Sequence, residues 1–206
     1  MHREPLPENY PLRMGNGGEY IIKKMIQEGG FSLIYEAETI GGTTPVVIKE
    51  YYPVKGAFRN EQNQICPLVG FEDYFNRNLN RFNSEGKIGG VIAELSFQTI
   101  SFLSCGNGYA IMKKASADMV SIANLVENWS HKSPIPFSGN PSDMDPVFPD
   151  LVRVKYSLRI IESLLSVLSV IHENQYLHLD ISSSNVFWAD SDQTTGRTGA
   201  TIILDY

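Results

Sequence analysis

The sequence predicts an α+β protein, in which a small β-rich part with one helix precedes a mainly helical part. Between residues 20 and 112, short runs of strand-forming residues alternate with glycine-rich turns, a pattern typical of hairpins in a mixed sheet. Residues 150–174 carry the strongest helical pattern of the chain, because apolar residues recur there at helical spacing. These two patterns, in this order, indicate the fold class.

Glycine-rich turns separate the predicted strands of the first part. They lie at residues 29–30, 41–42 and 106–108, and the second and third are typical of hairpins. One helix interrupts the strands, since four apolar residues recur at helical spacing between residues 71 and 82. The four asparagines between residues 76 and 83 make this helix weak by intrinsic propensity, so packing must stabilise it.

The second part begins with a long loop and a long helix. Residues 128–150 hold five prolines and no apolar periodicity, which predicts a surface loop. Asp150 is the expected N-cap of the helix that follows. Its apolar residues form two adjoining stripes, which are typical of an inner helix covered on several sides. Residues 186–188 and 201–204 then predict a short hairpin with a long polar tip.

Composition excludes several classes of protein. The 206 residues are 42% hydrophobic, enough for a globular core of roughly one to two domains and too apolar for a disordered chain. The net charge of −6 argues against a general nucleic-acid binder. Two cysteines are too few for a disulfide scaffold or a zinc site of the CxxC type.

The sequence shows no targeting signal. Prolines and charges stand near the start, where a secretory peptide needs an apolar run. The longest uncharged apolar stretch, residues 163–171, is far shorter than the ~20 residues that span a bilayer. We therefore expect a soluble, cytoplasmic protein without a membrane segment in this portion.

Several residues have both an ordinary and a functional interpretation. Gly29 and Gly30 form either a common β-turn or a loop whose backbone approaches phosphates closely, because glycine has no side chain. Lys49, at the end of an apolar strand, either extends its amine to solvent or places a positive charge on an anionic ligand. Glu85 is either solvated or reaches a buried cation from the edge of its helix's inward face.

The same holds near the C-terminal end. Asp180 and Asn185, which are five residues apart, either cap turns or belong to a catalytic site. Asp205 follows three apolar residues, and a carboxylate at the end of a strand suits a divalent metal.

The order of these features is that of a protein-kinase nucleotide site. A glycine-rich hairpin, a strand lysine and a helix glutamate are followed by a long apolar helix, the pattern H-x-D-x-x-x-x-N, a hairpin and an aspartate. Across residues 20–206 the chain therefore resembles the eukaryotic-like Ser/Thr protein kinases of bacteria. Residues 48–53, Ile-Lys-Glu-Tyr-Tyr-Pro, also resemble the IKEYFP run that many bacterial members have after their phosphate-binding strand.

The resemblance implies a protein-kinase-like fold with three parts. Residues 1–19 are expected to be an N-terminal extension, residues 20–114 the kinase N-lobe and residues 115–206 an incomplete C-lobe.

It also implies an ATP site. Ile26 and Ile34 would cover the adenine, Met112 would be the gatekeeper, and the hinge would begin at Lys113. The residues that the resemblance assigns to ATP binding are Ile26, Gly29, Gly30, Phe31, Ser32, Ile34, Val47, Lys49, Met112, Lys113, Ala115 and Phe187.

The implied activity is transfer of the γ-phosphate of ATP to a hydroxyl of an unknown protein substrate, with Mg²⁺. Lys49 would hold the α- and β-phosphates and be oriented by Glu85. Asp180 would position the acceptor hydroxyl and receive its proton. Asn185 and Asp205 would hold Mg²⁺, which neutralises charge between the β- and γ-phosphates.

The sequence departs from the family pattern at four positions. Gln27 and Ser32 replace the first and third glycines of the loop, and Leu179 replaces an arginine that pairs with a phosphorylated activation loop. Ser182 stands where Ser/Thr kinases have a lysine near the γ-phosphate, and His178 is expected to brace the loop. Two alternatives therefore remain open: a small-molecule phosphotransferase of the aminoglycoside or choline kinase type, and a nucleotide-binding pseudokinase.

The end of the sequence is the largest departure. Asp205 and Tyr206 stand where the metal-binding D-F/Y-G triplet should finish, and residues 190–200 look like an insertion at the hairpin tip. We expect a fragment of a longer kinase, which by itself would associate through an uncovered apolar stripe and would not phosphorylate proteins.

Overall fold

The computed structural model describes residues 3–42, 44–95, 102–115, 119–130, 149–178, 180–192 and 197–203. The chain divides into two compact units. The first comprises Met1–Val91 with Ser101–Lys114, and the second Ile92–Ile100 with Ala115–Tyr206.

The described strands are β1 (Pro11–Arg13), β2 (Glu19–Glu28), β3 (Ser32–Thr39), β4 (Pro45–Tyr51), β5 (Ala57–Arg59), β6 (Ile65–Pro67), β7 (Phe102–Gly106), β8 (Tyr109–Lys113), β9 (Val120–Ser121), β10 (Val186–Asp192) and β11 (Arg197–Ile203). The described helices are α1 (Glu72–Leu95), α2 (Ile122–Ser130) and α3 (Pro149–Glu173). None of the described helices is long and apolar enough to cross a membrane.

The first unit is built on a six-stranded sheet with the order β1-β2-β3-β4-β8-β7. Each neighbouring pair is antiparallel. The strand pattern predicted a mixed sheet, and this prediction is wrong for the six strands. The hairpins predicted around residues 41–42 and 106–108 join β3 to β4 and β7 to β8. A short second sheet consists of β5 and β6.

The residues expected to form an N-terminal extension are part of the first unit. Leu6, Leu12 and Met14 are buried in its core, and β1 pairs with β2. This segment supplies apolar side chains to the sheet. We call residues 3–14 the N-terminal segment.

Helix α1 contains asparagines and glycines, which have low helix propensity, and it is stabilised by tight packing, as the sequence analysis expects. Phe75 and Phe82 are buried, and their rings lie 5.2 and 5.7 Å from the ring of Tyr51. A Cβ atom at Gly89 would lie 2.4 Å from the Phe102 ring, so glycine at this position permits the close approach of α1 to β7. That approach offsets the cost of about 1 kcal/mol that glycine carries in a helix.

The second unit contains a three-stranded sheet with the order β11-β10-β9 and two helices. Leu125 of α2, Ile160 of α3 and Trp188 of β10 form one buried cluster. Ile92, at the end of α1, forms another with α3 residues, among them Val167.

Three sequence predictions for this unit need correction. The predicted loop 128–150 is helical at its start, where α2 extends to Ser130, and residues 131–148 lie outside the described residues. Helix α3 begins at Pro149, so Asp150 lies in its first turn and is not the N-cap; proline suits a first turn because its missing N–H would have no partner there. The predicted hairpin of residues 186–188 and 201–204 is longer than expected, since β10 runs to Asp192 and β11 begins at Arg197.

Only one of the two apolar stripes of α3 is covered by the described residues. Ile160, Val167 and Ile171 are buried, whereas Leu158 and Leu165 are each 61% exposed. Within the described part of the chain, α3 is therefore not covered on several sides, and its exposed stripe agrees with the uncovered apolar stripe that the sequence analysis expects.

A buried carboxylate lies inside the first unit. Glu50, 1% exposed, accepts hydrogen bonds from the hydroxyls of Tyr35 at 2.7 Å and Tyr109 at 2.9 Å. Arg59 donates to both of its oxygens, at 2.7 and 3.0 Å. Burial and the charge of Glu50 raise the pKa of both tyrosines, so they remain neutral donors. Burial opposes the charge of Arg59, but the hydrogen bonds of Glu50 outweigh it and raise the pKa of the guanidinium.

We predict that Glu50→Gln lowers the free energy of unfolding by about 3–5 kcal/mol, because it leaves the buried Arg59 without its counter-charge. Urea denaturation measures this loss. In the control, Glu38→Gln, the lost partner is Lys23 at the surface, and the expected change is below about 1 kcal/mol. Equal effects of the two substitutions would contradict the role assigned to the buried pair.

Candidate functional site

Backbone hydrogen bonds hold the turn between β2 and β3, and most of them are accepted by its carbonyl groups, which we call its carbonyl side. The Gly29 amide donates to the Ser32 carbonyl at 2.9 Å. The carbonyls of Gly30 and Phe31 accept from backbone amides of the segment that follows β4, at 3.1 and 2.9 Å. We call residues 29–32 the Gly-rich turn.

The amide side of the Gly-rich turn is open. Among the described residues, no acceptor binds the amides of Gly30 and Phe31. Gly29 and Gly30 are not among the described glycines with positive φ, and a Cβ at Gly30 would meet no atom within 4 Å. The turn therefore does not require glycine for its own conformation. Open space and two unused donors suit an anion such as a phosphate.

Four predicted site residues share one face of the sheet. In the strand register, Ile34 is paired with Lys49, and Val47 with Met112. Directly paired residues lie on the same face of a sheet, and successive residues on opposite faces. Lys49 and its neighbours therefore lie on the face opposite to Glu50.

Lys49 lies beside α1. Its amine is 5.8 Å from the centre of the Phe82 ring, and Phe82 precedes Glu85 by three residues on that helix. The structure thus brings the strand lysine next to the helical turn that carries its predicted partner. Glu85 itself is exposed.

The remaining predicted adenine contacts lie at the ends of elements. Ile26 is 48% exposed and lies where the register between β2 and β3 shifts. Lys113 is the last residue of β8, and Ala115 begins the second stretch of the second unit. The division between the units thus falls in the segment assigned to the hinge. Phe187 is half-buried on β10.

The segment assigned to the hinge also makes an ion pair. The Lys114 amine lies 2.5 Å from the Glu36 carboxylate on β3. Its hydrogen bond to this carboxylate holds the pKa of Glu36 below the usual range.

In the second unit, the side chain of Asn185 holds Asp180. Its amide group donates to the Asp180 carboxylate at 2.8 Å and to the Asp180 carbonyl at 3.1 Å. The Asn185 backbone amide donates to the Ser182 carbonyl at 3.0 Å, which closes the loop. Asp180 is exposed, so an outside group can reach the carboxylate that Asn185 orients.

Three further side chains make contacts in the described part of this loop. His178 is buried, and its Nδ1 accepts from the Asp180 backbone amide at 3.3 Å, so its ring contributes to the shape of the loop. The hydroxyls of Ser182 and Ser184 lie 2.8 Å apart. Two other predicted residues, Leu179 and the metal ligand Asp205, lie outside the described residues.

Sequence reasoning missed Arg3. Its guanidinium donates to the Glu28 side chain and to the carbonyls of Gly29 and Tyr52. These partners are 25 to 49 residues away in the chain, so no local pattern marks the contact.

The comparisons with known proteins identify the fold. No protein-family model matches the sequence, and no curated protein matches it. Among solved structures, the apo form of PpkA-294 is similar with a TM-score of 0.64 and 25% identity, over 98% of this chain and 61% of that chain. The kinase domain of Mycobacterium tuberculosis PknI is similar with a TM-score of 0.57 and 16% identity, over 98% and 63%. For vaccinia related kinase 3 the values are 0.51 and 16%, over 98% and 52%.

The chain thus spans between 52% and 63% of the length of these three structures. Its antiparallel sheet with one long helix, followed by a further helical unit, matches them over 98% of its own length. The chain has a protein-kinase-like fold, as its motifs predicted.

Proposed function

We propose that the protein is an ATP- and Mg²⁺-dependent kinase that transfers the γ-phosphate of ATP to a serine or threonine hydroxyl of another protein. The observation that supports this most is the Asp180 carboxylate, held by Asn185 and exposed in a protein-kinase-like fold. Phosphoryl transfer requires mainly positioning and charge neutralisation, and this loop is arranged for positioning.

The first unit would bind the nucleotide. The open amides of Gly30 and Phe31 offer two donors to phosphate oxygens, and Lys49 adds a positive charge. Val47 and Met112, on the same face of the sheet as Lys49, would contact the adenine.

Asn185 also fits a metal ligand. Because its amide group donates to Asp180, its carbonyl oxygen remains as an acceptor; the Ser184 hydroxyl approaches that oxygen at 3.5 Å. Asn185 and Asp205 would hold Mg²⁺, an oxygen-seeking ion. When bound, Mg²⁺ neutralises the charge on the transferred phosphate.

Asp180 would act as the base. With one of its oxygens bound by Asn185, the carboxylate is oriented to accept the proton of the attacking hydroxyl. Its exposure leaves room for a protein substrate.

One observation favours a second candidate, a nucleotide-binding pseudokinase. At the position of the missing catalytic-loop lysine, the Ser182 hydroxyl pairs with that of Ser184. Neither group carries the positive charge that would stabilise the γ-phosphate during transfer.

We predict that Lys49→Ala weakens binding of a non-hydrolysable MgATP analogue at least about tenfold, since it removes a fixed positive charge from the phosphates. Calorimetric titration measures the affinity, with Lys23→Ala as a control because Lys23 pairs with Glu38 at the surface. If the wild-type protein does not bind the analogue, the proposed function is wrong. If both variants bind like the wild type, the assignment of Lys49 is wrong.

Asp180→Asn should reduce phosphoryl transfer by about 10²–10⁴-fold and leave the affinity for the nucleotide nearly intact, because Asp180 serves the acceptor hydroxyl. The measurement is transfer of labelled phosphate to a generic protein by the full-length protein. Ser183→Ala is the matched control, since Ser183 accepts from Ala123 through its backbone carbonyl, which the substitution keeps.

The wild-type result separates the candidates. Nucleotide binding without transfer to any acceptor would favour the pseudokinase. Transfer to aminoglycosides or choline, but not to protein, would favour the small-molecule phosphotransferase.

Gly30→Ala should weaken binding of the MgATP analogue without destabilising the fold. The added Cβ enters open space, so the free energy of unfolding should stay constant or rise by about 0.4–1 kcal/mol. Gly56→Ala is the contrasting control, because Gly56 has φ +78° and its Cβ would lie 2.5 Å from the Phe71 ring. Thermal unfolding and calorimetric titration give both quantities. Loss of stability in Gly30→Ala would show that the turn needs this glycine structurally.

A further inference from the structure

Arg3 joins the N-terminal segment to the Gly-rich turn. Its Nε and Nη2 donate to the Glu28 carboxylate at 3.1 and 2.8 Å. Nη2 also donates to the Gly29 carbonyl, and Nη1 donates to the Tyr52 carbonyl. The Arg3 side chain is 3% exposed, so these contacts are made almost without water.

A buried guanidinium is costly unless its donors find acceptors. The acceptors of Arg3 belong either to the Gly-rich turn and the residue before it, or to Tyr52. The backbone amide of Tyr52 in turn donates to Phe31 within the turn. The positive charge is thus placed where it fixes the carbonyl side of the Gly-rich turn.

Together, these contacts bind three consecutive carbonyls of the turn. Arg3 holds that of Gly29, and the segment after β4 holds those of Gly30 and Phe31. With the carbonyls bound on one side, the open amides of Gly30 and Phe31 are fixed on the other.

The N-terminal segment is itself anchored to the sheet. The Leu6 amide donates to the Tyr35 hydroxyl at 3.0 Å, and Arg59 donates to the Glu4 carbonyl at 2.8 Å. The Tyr52 ring has the Arg59 guanidinium 5.2 Å from its centre and that of Arg3 at 5.9 Å, distances at which a cation is attracted to the ring. The position of Arg3 is therefore set by the buried part of the unit.

We propose that Arg3 is a positioning residue for nucleotide binding, which holds the Gly-rich turn so that its amides bind the phosphates of ATP. The proposal rests on the function proposed above. Arg3 acts through the turn and does not touch the nucleotide. Its effect is specific to phosphates, because an adenine would contact strand residues such as Val47 and Met112.

The test compares two ligands in Arg3→Gln. Affinity for the non-hydrolysable MgATP analogue should fall about tenfold, the effect of losing a charge-assisted contact. Affinity for adenosine, which has no phosphates, should change less than about twofold. A merely structural role would weaken both ligands together. Arg13→Gln is the matched control, since Arg13 pairs with Glu19 at the surface.

Arg3→Lys separates positioning from charge. Lysine keeps the charge but lacks the planar fork that reaches Glu28, Gly29 and Tyr52 together, so we expect only partial recovery of the affinity for the MgATP analogue. Full recovery would show that charge alone acts, and would overturn the positioning role.

Hydrogen exchange gives a readout that needs no ligand. The Gly29 amide, bonded to Ser32, should exchange faster in Arg3→Gln, while the amides of β4 keep their protection. If Arg3→Gln does not fold, Glu28→Gln is the second variant, since it weakens the Arg3–Glu28 ion pair from its exposed partner. It should also lower the affinity for the MgATP analogue and speed the exchange of the Gly29 amide.

The outcomes are distinct. If the wild type does not bind the MgATP analogue, the proposed function fails and the phosphate role of Arg3 with it. If the wild type binds and Arg3→Gln binds the analogue equally well, the function stands and this inference alone is overturned.

Discussion

The Glu50 carboxylate connects four parts of the first unit inside its core. It lies on β4 and accepts hydrogen bonds from Tyr35 on β3, Tyr109 on β8 and Arg59 on β5. A shift of register by one residue would turn every side chain of β4 to the opposite face. It would bury Lys49 without these partners and expose Glu50. The buried carboxylate therefore determines which face of β4 carries the site.

The run that resembles IKEYFP has a physical explanation in this arrangement. Lys49 faces the site, and Glu50 faces the core. Tyr51 packs on α1, where its hydroxyl donates to the Phe75 carbonyl at 3.1 Å and burial raises the pKa of this hydroxyl to about 12. Tyr52 lies near two guanidinium groups. These four consecutive residues share their partners in pairs, since Lys49 and Tyr51 both lie against Phe82 of α1 and Glu50 and Tyr52 both lie against Arg59.

Features determined by neighbouring residues could be predicted from the sequence. The hairpins at residues 41–42 and 106–108 follow from glycine-rich turns between strand-forming runs, and α1 follows from its apolar spacing. Burial of Leu6 depends on a sheet formed by residues that follow it, so the residues around it indicate an extension and not a packed segment. The coverage of α3 likewise depends on residues far away in the chain, and among the described residues Leu158 is exposed.

The same distinction divides the candidate site. Asp180 and Asn185 hold each other within five residues, so a sequence motif is sufficient to recognise them. The Gly-rich turn has only two glycines in its motif, but Arg3 and the segment after β4 hold its carbonyls by hydrogen bonds. Its backbone is thus held by contacts from outside the motif. The departure at Gln27 therefore weakens the sequence signal of the turn more than its structure.

Ser182 is a different kind of departure from the family pattern. It stands where a lysine is expected in the predicted catalytic loop, and its hydroxyl contact with Ser184 does not replace the positive charge of that lysine. The serine at position 182 therefore bears on the proposed transfer step, whereas the proposed phosphate contacts of the Gly-rich turn and Lys49 do not involve it.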